Sequence, residues 1–165
     1  MIKIRSATPE DVPQILQFIK ELAEYEKLAH EVTATEDILR RNLFSERRAA
    51  EVLLASEGDV PVGFAVFFHN FSTFLGKPGI YLEDLFVRPA FRGRGYGKAL
   101  LIHIARIAKE RDCGRIEWSV LDWNEPAIRF YRSIGAVPLS EWTVQRMSRE
   151  AIEQLAALPF PGGNQ

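Results

Sequence analysis

The chain has 165 residues, of which 47% are hydrophobic and 26% charged, with a formal net charge of −1. That length suits one domain with a sizeable core, and the near-neutral charge argues against a nucleic-acid binder that works through a basic face. No apolar run approaches the roughly 20 residues of a bilayer span, so neither nucleic acid nor membrane is expected as a partner. Cys113 is the single cysteine, which rules out an internal disulfide. The start, Met1 to Arg5, carries no signal-peptide core; together these point to a cytoplasmic protein. His30, His69 and His103 have no metal-ligand spacing, so no metal is expected.

In chain order, Ile2 to Arg5 reads as a short strand. Thr8-Pro9-Glu10-Asp11 is a helix start, with a Thr N-cap, Pro in the first turn and acids near the positive dipole end. Ile15, Phe18, Ile19 and Leu22 then recur at helical spacing up to Tyr25 and Glu26. A second helix is predicted from Thr35 to Phe44. Glu51 to Ser56 and Pro61 to His69 form a hairpin around Glu57-Gly58-Asp59. A loop is predicted from Phe71 to Gly79, a strand from Ile80 to Val87, and a helix from Tyr96 to Arg111 with Gly114 as its stop. Arg115 to Leu121 reads as a strand and Asn124 as the cap of a helix that Gly135 ends. Val137 to Leu139 and Trp142 to Met147 read as closing strands, and Ser148 to Leu158 as a last helix. One domain over residues 1–158 and a loose tail over 159–165 are expected.

The densest stretch runs from Glu83 to Leu101. A strand with two adjacent carboxylates enters a loop with Gly93, Gly95 and Gly97, and the loop opens a helix. Glycine lets the backbone approach a ligand closely, and the first N–H groups of a helix have no intrahelical partner and sit at its positive pole. Such a loop suits a pyrophosphate, with Arg92, Arg94 and Lys98 adding charge. Taken alone, the glycine triplet fits a flexible connection equally well.

The segments Arg92-Gly93-Arg94-Gly95-Tyr96-Gly97, Asn124-Glu125-Pro126-Ala127 and Phe130-Tyr131-Arg132-Ser133-Ile134-Gly135 resemble the GNAT superfamily of N-acetyltransferases. Ile19 to Glu26, Val62-Gly63-Phe64-Ala65, Tyr81-Leu82-Glu83-Asp84 and Trp123 to Pro126 resemble its diamine branch, the spermidine/spermine and thialysine N-acetyltransferases. The resemblance implies an α/β (α+β) GNAT fold, a mixed and mostly antiparallel sheet splayed at its centre with helices on both faces. It implies acetyl-CoA as co-substrate, a small primary amine as acceptor, and a homodimer, for which Phe71, Phe74, Trp142 and the last helix offer apolar surface. Three departures stand out: Ser72 where the spermidine enzymes carry an acid, Phe74 where they carry a Trp, and Glu117 where they carry a His.

Acetyl transfer to an amine requires removal of a proton from an alkylammonium whose pKa is about 10.4. The resemblance implies Glu83 for cation binding and water-mediated proton removal, and Tyr131 as general acid to the thiolate. It implies donor contacts at Leu85, Phe86, Val87, the loop from Arg92 to Lys98, Asn124, Glu125, Pro126, Ala127 and Tyr131. Tyr25, Glu26, Ser72, Glu83, Glu117, Trp118 and Ser119 are implied around the amine. Strand alternation puts Glu83 and Asp84 on opposite faces and groups Tyr81, Glu83, Leu85 and Val87 on one. Asp84 is open to a structural or a functional role, and the acids near Glu26 to a solvated face or a binding one. A protein lysine or N-terminal acetyltransferase, and a non-catalytic acyl-CoA-binding module, are the alternative functions.

Overall fold

The computed structural model describes residues 1–161, so part of the expected tail, residues 162–165, lies outside the described residues. The chain packs as two compact units, Met1–Ser119 and the part from Val120 onward.

The first unit runs β1 (Ile2–Ser6), α1 (Val12–Tyr25), α2 (Glu36–Leu43), β2 (Glu51–Glu57), β3 (Val60–Ser72), β4 (Lys77–Val87), α3 (Tyr96–Glu110) and β5 (Ile116–Trp118). The five strands form one sheet in sequence order. β1 to β4 pair antiparallel and β5 joins β4 in parallel. Thr8 opens the first helical segment as expected, but a single 3-10 turn over Pro9–Asp11 comes before α1. Asp11 ties that turn down, accepting from the Thr8 N–H at 2.8 Å and from both Arg5 terminal nitrogens at 2.7 Å.

On one face of the sheet, Ile15, Phe18 and Leu22 of α1 and Leu43 of α2 pack on Val52, Leu54, Phe64 and Phe86. The Phe18 ring stacks on Phe64 with centroids 5.3 Å apart and meets Phe86 edge-on at 6.3 Å. α3 packs on the sheet through Leu100, Leu101, Ile104 and Ala108. Gly63 lets β3 and β4 approach closely, because a Cβ there would stand 2.4 Å from the Phe86 carbonyl oxygen.

β4 is not a regular strand. Val66 pairs with Asp84 and Phe67 with Leu82, so Glu83 is an extra residue, a β-bulge. Side chains alternate along a strand. Phe64, Val66 and Phe68 therefore share the α1 face with their partners Phe86, Asp84 and Tyr81, while Ala65 and Phe67 share the other face with Leu85 and Leu82. The Phe68 and Tyr81 rings lie 5.3 Å apart, in keeping with this register. The bulge overturns the expected grouping of Tyr81 with Leu85 and Val87: Tyr81 and Asp84 are on the same face. β4 also pairs with β5 only through Ile80, Tyr81 and Leu82. From Glu83 onward it has a strand neighbour on one side only among the described residues, because β5 ends at Trp118.

Other expectations change at element ends. The β3–β4 hairpin is longer than predicted, since Phe71 pairs with Pro78 and Ser72 with Lys77. Only residues 73–76 turn, around Gly76 at φ 63°. β5 is shorter than Arg115 to Leu121. α3 ends in a Schellman motif whose left-handed residue is Asp112, φ 52°, not Gly114. The Asp112 N–H donates to Lys109 O and the Cys113 N–H to Ala108 O.

The second unit holds α4 (Glu125–Ser133) and α5 (Arg149–Ala156). Gly135, at φ 93°, closes α4, and the Ala136 N–H donates to Tyr131 O at 3.1 Å. Ser148 caps α5 by accepting from the Ala151 N–H. The two closing strands do not form among the described residues. Val137 and Trp142 are 78% and 76% exposed; strand-favouring side chains hold a strand only where a pleated neighbour covers them.

Candidate active site

The α1 face of β4 beyond Phe86 collects the acids. Asp84 is half-buried, and its carboxyl is pushed up to about 7, first by burial and then by the charges of Glu83 and Glu26. Glu26, just past the end of α1, is also raised by burial. Glu83 is exposed at the bulge. The chain reverses after Glu26 through Lys27, held at φ 62°, whose N–H donates to Glu24 O while the Leu28 N–H donates to Ala23 O.

Farther along the same face, Tyr81 lies beside Glu117 in register, and its hydroxyl is 2.8 Å from Ser119 Oγ. Glu117 is paired with Arg115 (Nε to Oε1, 2.8 Å), and the same oxygen accepts from Asn70 Nδ2 at 3.1 Å. The Asn70 Oδ1 is buried without a hydrogen-bond partner. Trp118 pairs with Leu82. Ser72 serves the hairpin instead of an open pocket. It is only 3% exposed, and its hydroxyl accepts from the Leu75 N–H and closes the turn.

The glycine loop lies after β4. Gly93 and Gly95 take φ 73° and 89°, values that L side chains rarely adopt. Gly95 is the N-cap of α3 and the first intrahelical bond is Ala99 N–H to Gly95 O, so the N–H groups of Tyr96, Gly97 and Lys98 have no intrahelical partner. A Cβ at Gly93 would meet nothing within 4 Å. An open backbone with three unpaired amides at a helix start fits a diphosphate. Lys98 is exposed. The arginines are engaged within the protein. Arg92 donates through Nε to Val87 O at 2.9 Å and lays its guanidinium over the Tyr25 ring, 4.2 Å from the centroid. Arg94 pairs with Glu57 at 2.7 Å. The next arginine upstream, Arg88, joins strand to helix: it donates to both oxygens of Glu21 on α1 and to Pro61 O. Leu85 and Val87 are half-buried, and Phe86 belongs to the core rather than to an open surface.

In the second unit, Asn124 stands at the N-cap of α4 but its side chain makes no capping bond, contrary to expectation. Glu125 and Pro126 fill the first turn, exposed, and Ala127 follows half-buried. Tyr131 is half-buried on α4 with its ring 5.6 Å from Phe130.

The family model described as the acetyltransferase (GNAT) family matches residues 14–136. The chain belongs to this family. A thialysine N-epsilon-acetyltransferase of Bos taurus is 37% identical over 166 residues, covering 94% of this chain and 97% of the relative. An L-ornithine N5-acetyltransferase of Arabidopsis thaliana is 33% identical, covering 94% and 88%. Among solved structures, an integron cassette protein from the mobile metagenome of V. cholerae is similar with a TM-score of 0.78 and 31% identity, covering 95% and 98% of the two chains. As a GNAT enzyme the chain is an N-acetyltransferase, and the family uses acetyl-CoA as co-substrate.

Sequence reading left Asp84 undecided and passed over Glu57, Asn70 and Arg115. Glu57 stood out only as the edge of a turn. Its partners lie 37 and 39 residues away, a distance no local pattern spans.

Proposed function

We propose that this GNAT enzyme acetylates the side-chain amine of a small amino acid, with Asp84 as the group that holds the amine's proton. The observation that carries the reading is the Asp84 carboxyl pushed up to about 7 on the face it shares with Tyr81. Moving a proton from an alkylammonium (about 10.4) to an ordinary carboxylate (about 3.9) costs about 9 kcal/mol, but to a group near 7 about 5 kcal/mol. Glu83, exposed at the bulge, and Glu26 attract the cation, and the proton passes to Asp84 directly or through water. The freed nitrogen lone pair then adds to the thioester carbonyl. A main-chain N–H near Leu85, on the stretch of β4 that β5 leaves uncovered, steadies the oxyanion. The carbon–sulfur bond breaks, Tyr131 gives its proton to the departing thiolate, and the proton shed by the new amide nitrogen restores the phenol. The loop from Arg92 to Lys98 binds the diphosphate, and Asn124 to Ala127 contribute further donor contacts.

The far end of the acceptor supports an amino acid over a polyamine. Arg115 and Glu117 present a cation and an anion side by side, with the Asn70 amide against them. That set complements an α-ammonium and an α-carboxylate, whereas the second ammonium of a polyamine meets a carboxylate already neutralised. Thialysine and L-ornithine, in the names of the two relatives, are both amino acids whose side chain ends in a primary amine. A thiol-release assay with acetyl-CoA over thialysine, ornithine, lysine, diamines, polyamines and peptides tests this. Turnover on the amino acids ahead of the polyamines is expected; turnover on peptides alone would sink it. A homodimer completes the proposal, supported by Phe71, Phe74 and Leu75, which project exposed from the β3–β4 hairpin end. Light scattering that gives a monomer's mass would remove it.

A further inference from the structure

We propose that Glu57, at the end of β2, is a positioning residue for the donor: one carboxylate that holds both flanks of the glycine loop in the shape its phosphate-binding amides need. The inference rests on reading that loop as the acetyl-CoA site. Glu57 Oε1 accepts from Arg94 Nη2 and Oε2 from the Tyr96 hydroxyl, each at 2.7 Å. Arg94 and Tyr96 are the two neighbours of Gly95, the residue at φ 89° on which the turn into α3 depends. The grip extends outward. The Tyr96 side chain is 3% exposed and meets the Phe91 ring edge-on at 6.3 Å, and the Arg94 guanidinium lies 5.4 Å from the same ring. Hairpin and loop thus lock at four side chains while Gly93 faces open space. Tyr96 and Arg94 hold the Glu57 carboxyl below its usual range, and the same contact raises the Tyr96 phenol, so the carboxylate stays ionised and the phenol keeps its proton near neutrality.

The sign of the effect separates positioning from mere proximity. A carboxylate beside an anion site, taken as a point charge, weakens binding of a diphosphate. Removing it, and freeing Arg94, would then tighten donor binding. A carboxylate that shapes the loop does the opposite: its loss loosens the amides and weakens donor binding despite the gain in positive charge.

The experiment measures thiol release and calorimetric CoA binding for the full chain and for Glu57→Gln, Glu57→Asp and Tyr96→Phe. Loss of a charge-assisted pair of bonds is expected to raise the KM for acetyl-CoA about tenfold in Glu57→Gln, with kcat and the amine KM within about twofold. Glu57→Asp, which keeps the charge but shortens the reach, is expected to raise it as well, and Tyr96→Phe, which removes one arm, by about threefold. An unchanged or lowered donor KM in Glu57→Gln, with its melting temperature retained, overturns the inference. If Glu57→Gln does not fold, Tyr96→Phe decides on the same criterion. A wild-type chain that neither binds CoA nor releases thiol would instead overturn the donor-loop reading itself.

Discussion

At the acidic face, burial and then the like charges of Glu83 and Glu26 drive Asp84 toward its neutral form; at the glycine loop, Arg92 and Arg94 are each engaged by a carbonyl, an aromatic ring or a carboxylate. One region leaves its charges of one sign uncompensated, and the other compensates them. The difference follows from what each region has to do. A carboxylate that is to take a proton from an ammonium gains from being desolvated and crowded by its own kind, because its proton affinity rises. A diphosphate can be held by neutral backbone amides, which need geometry more than net charge, so the loop arginines serve to fix that geometry.

Four substitutions test this contrast, taken from the largest expected effect to the smallest. Asp84→Asn should lower kcat/KM at pH 7 about 100-fold and remove the acid limb centred near 7 from the pH–rate profile. It should also change stability with a definite sign. A carboxyl whose folded pKa lies above its unfolded value destabilises the fold progressively as pH rises from about 4 to about 7. The variant should therefore melt like wild type at pH 3.5 and higher than wild type at pH 8; the reverse order would mean that Asp84 is stabilised as an anion. Gly95→Ala forces an L side chain into φ 89°, at roughly 1–2 kcal/mol, and should raise the acetyl-CoA KM about tenfold while sparing the amine KM. An equal rise in both would break the separation of the two regions. Glu26→Gln removes one of the like charges on Asp84, so the acid limb should shift to lower pH and the amine KM rise about threefold. A limb that stays in place would show that burial and Glu83, without Glu26, set the Asp84 proton affinity. Lys27→Gly relieves a left-handed non-glycine residue and should raise stability by up to about 1 kcal/mol with unchanged turnover, read from a urea titration.

Much of the first unit was legible in the sequence because its signals are local. The Thr8 and Thr35 starts, the apolar spacing of Phe18 and Leu22, and the glycine loop each depend on a few neighbouring residues. What failed depended on distant partners. Alternation alone put Tyr81 with Leu85, and only the pairing of β4 with β3 reveals that Glu83 is an extra residue. The closing strands around Val137 and Trp142 have strand-like composition, yet a ladder needs a partner that composition does not name. Arg92 and Arg94 were legible as loop residues but not as engaged ones, since Tyr25 and Glu57 come from elsewhere in the chain. Asp84 could not be assigned because its proton affinity is a property of its surroundings.

The extra residue in β4 also bears on how such a site can change. Point substitutions alter the side chains it presents but leave their orientation untouched. Deleting Glu83, the one residue between Leu82 and Asp84, would restore regular pleating without turning either half of the strand, because Leu82 and Asp84 already lie on opposite faces. Asp84 and the aliphatic residues would keep their faces, and only the Glu83 carboxylate would be lost. A change in strand length at this position is thus tolerated by both faces, and what it removes is one of the like charges beside Asp84.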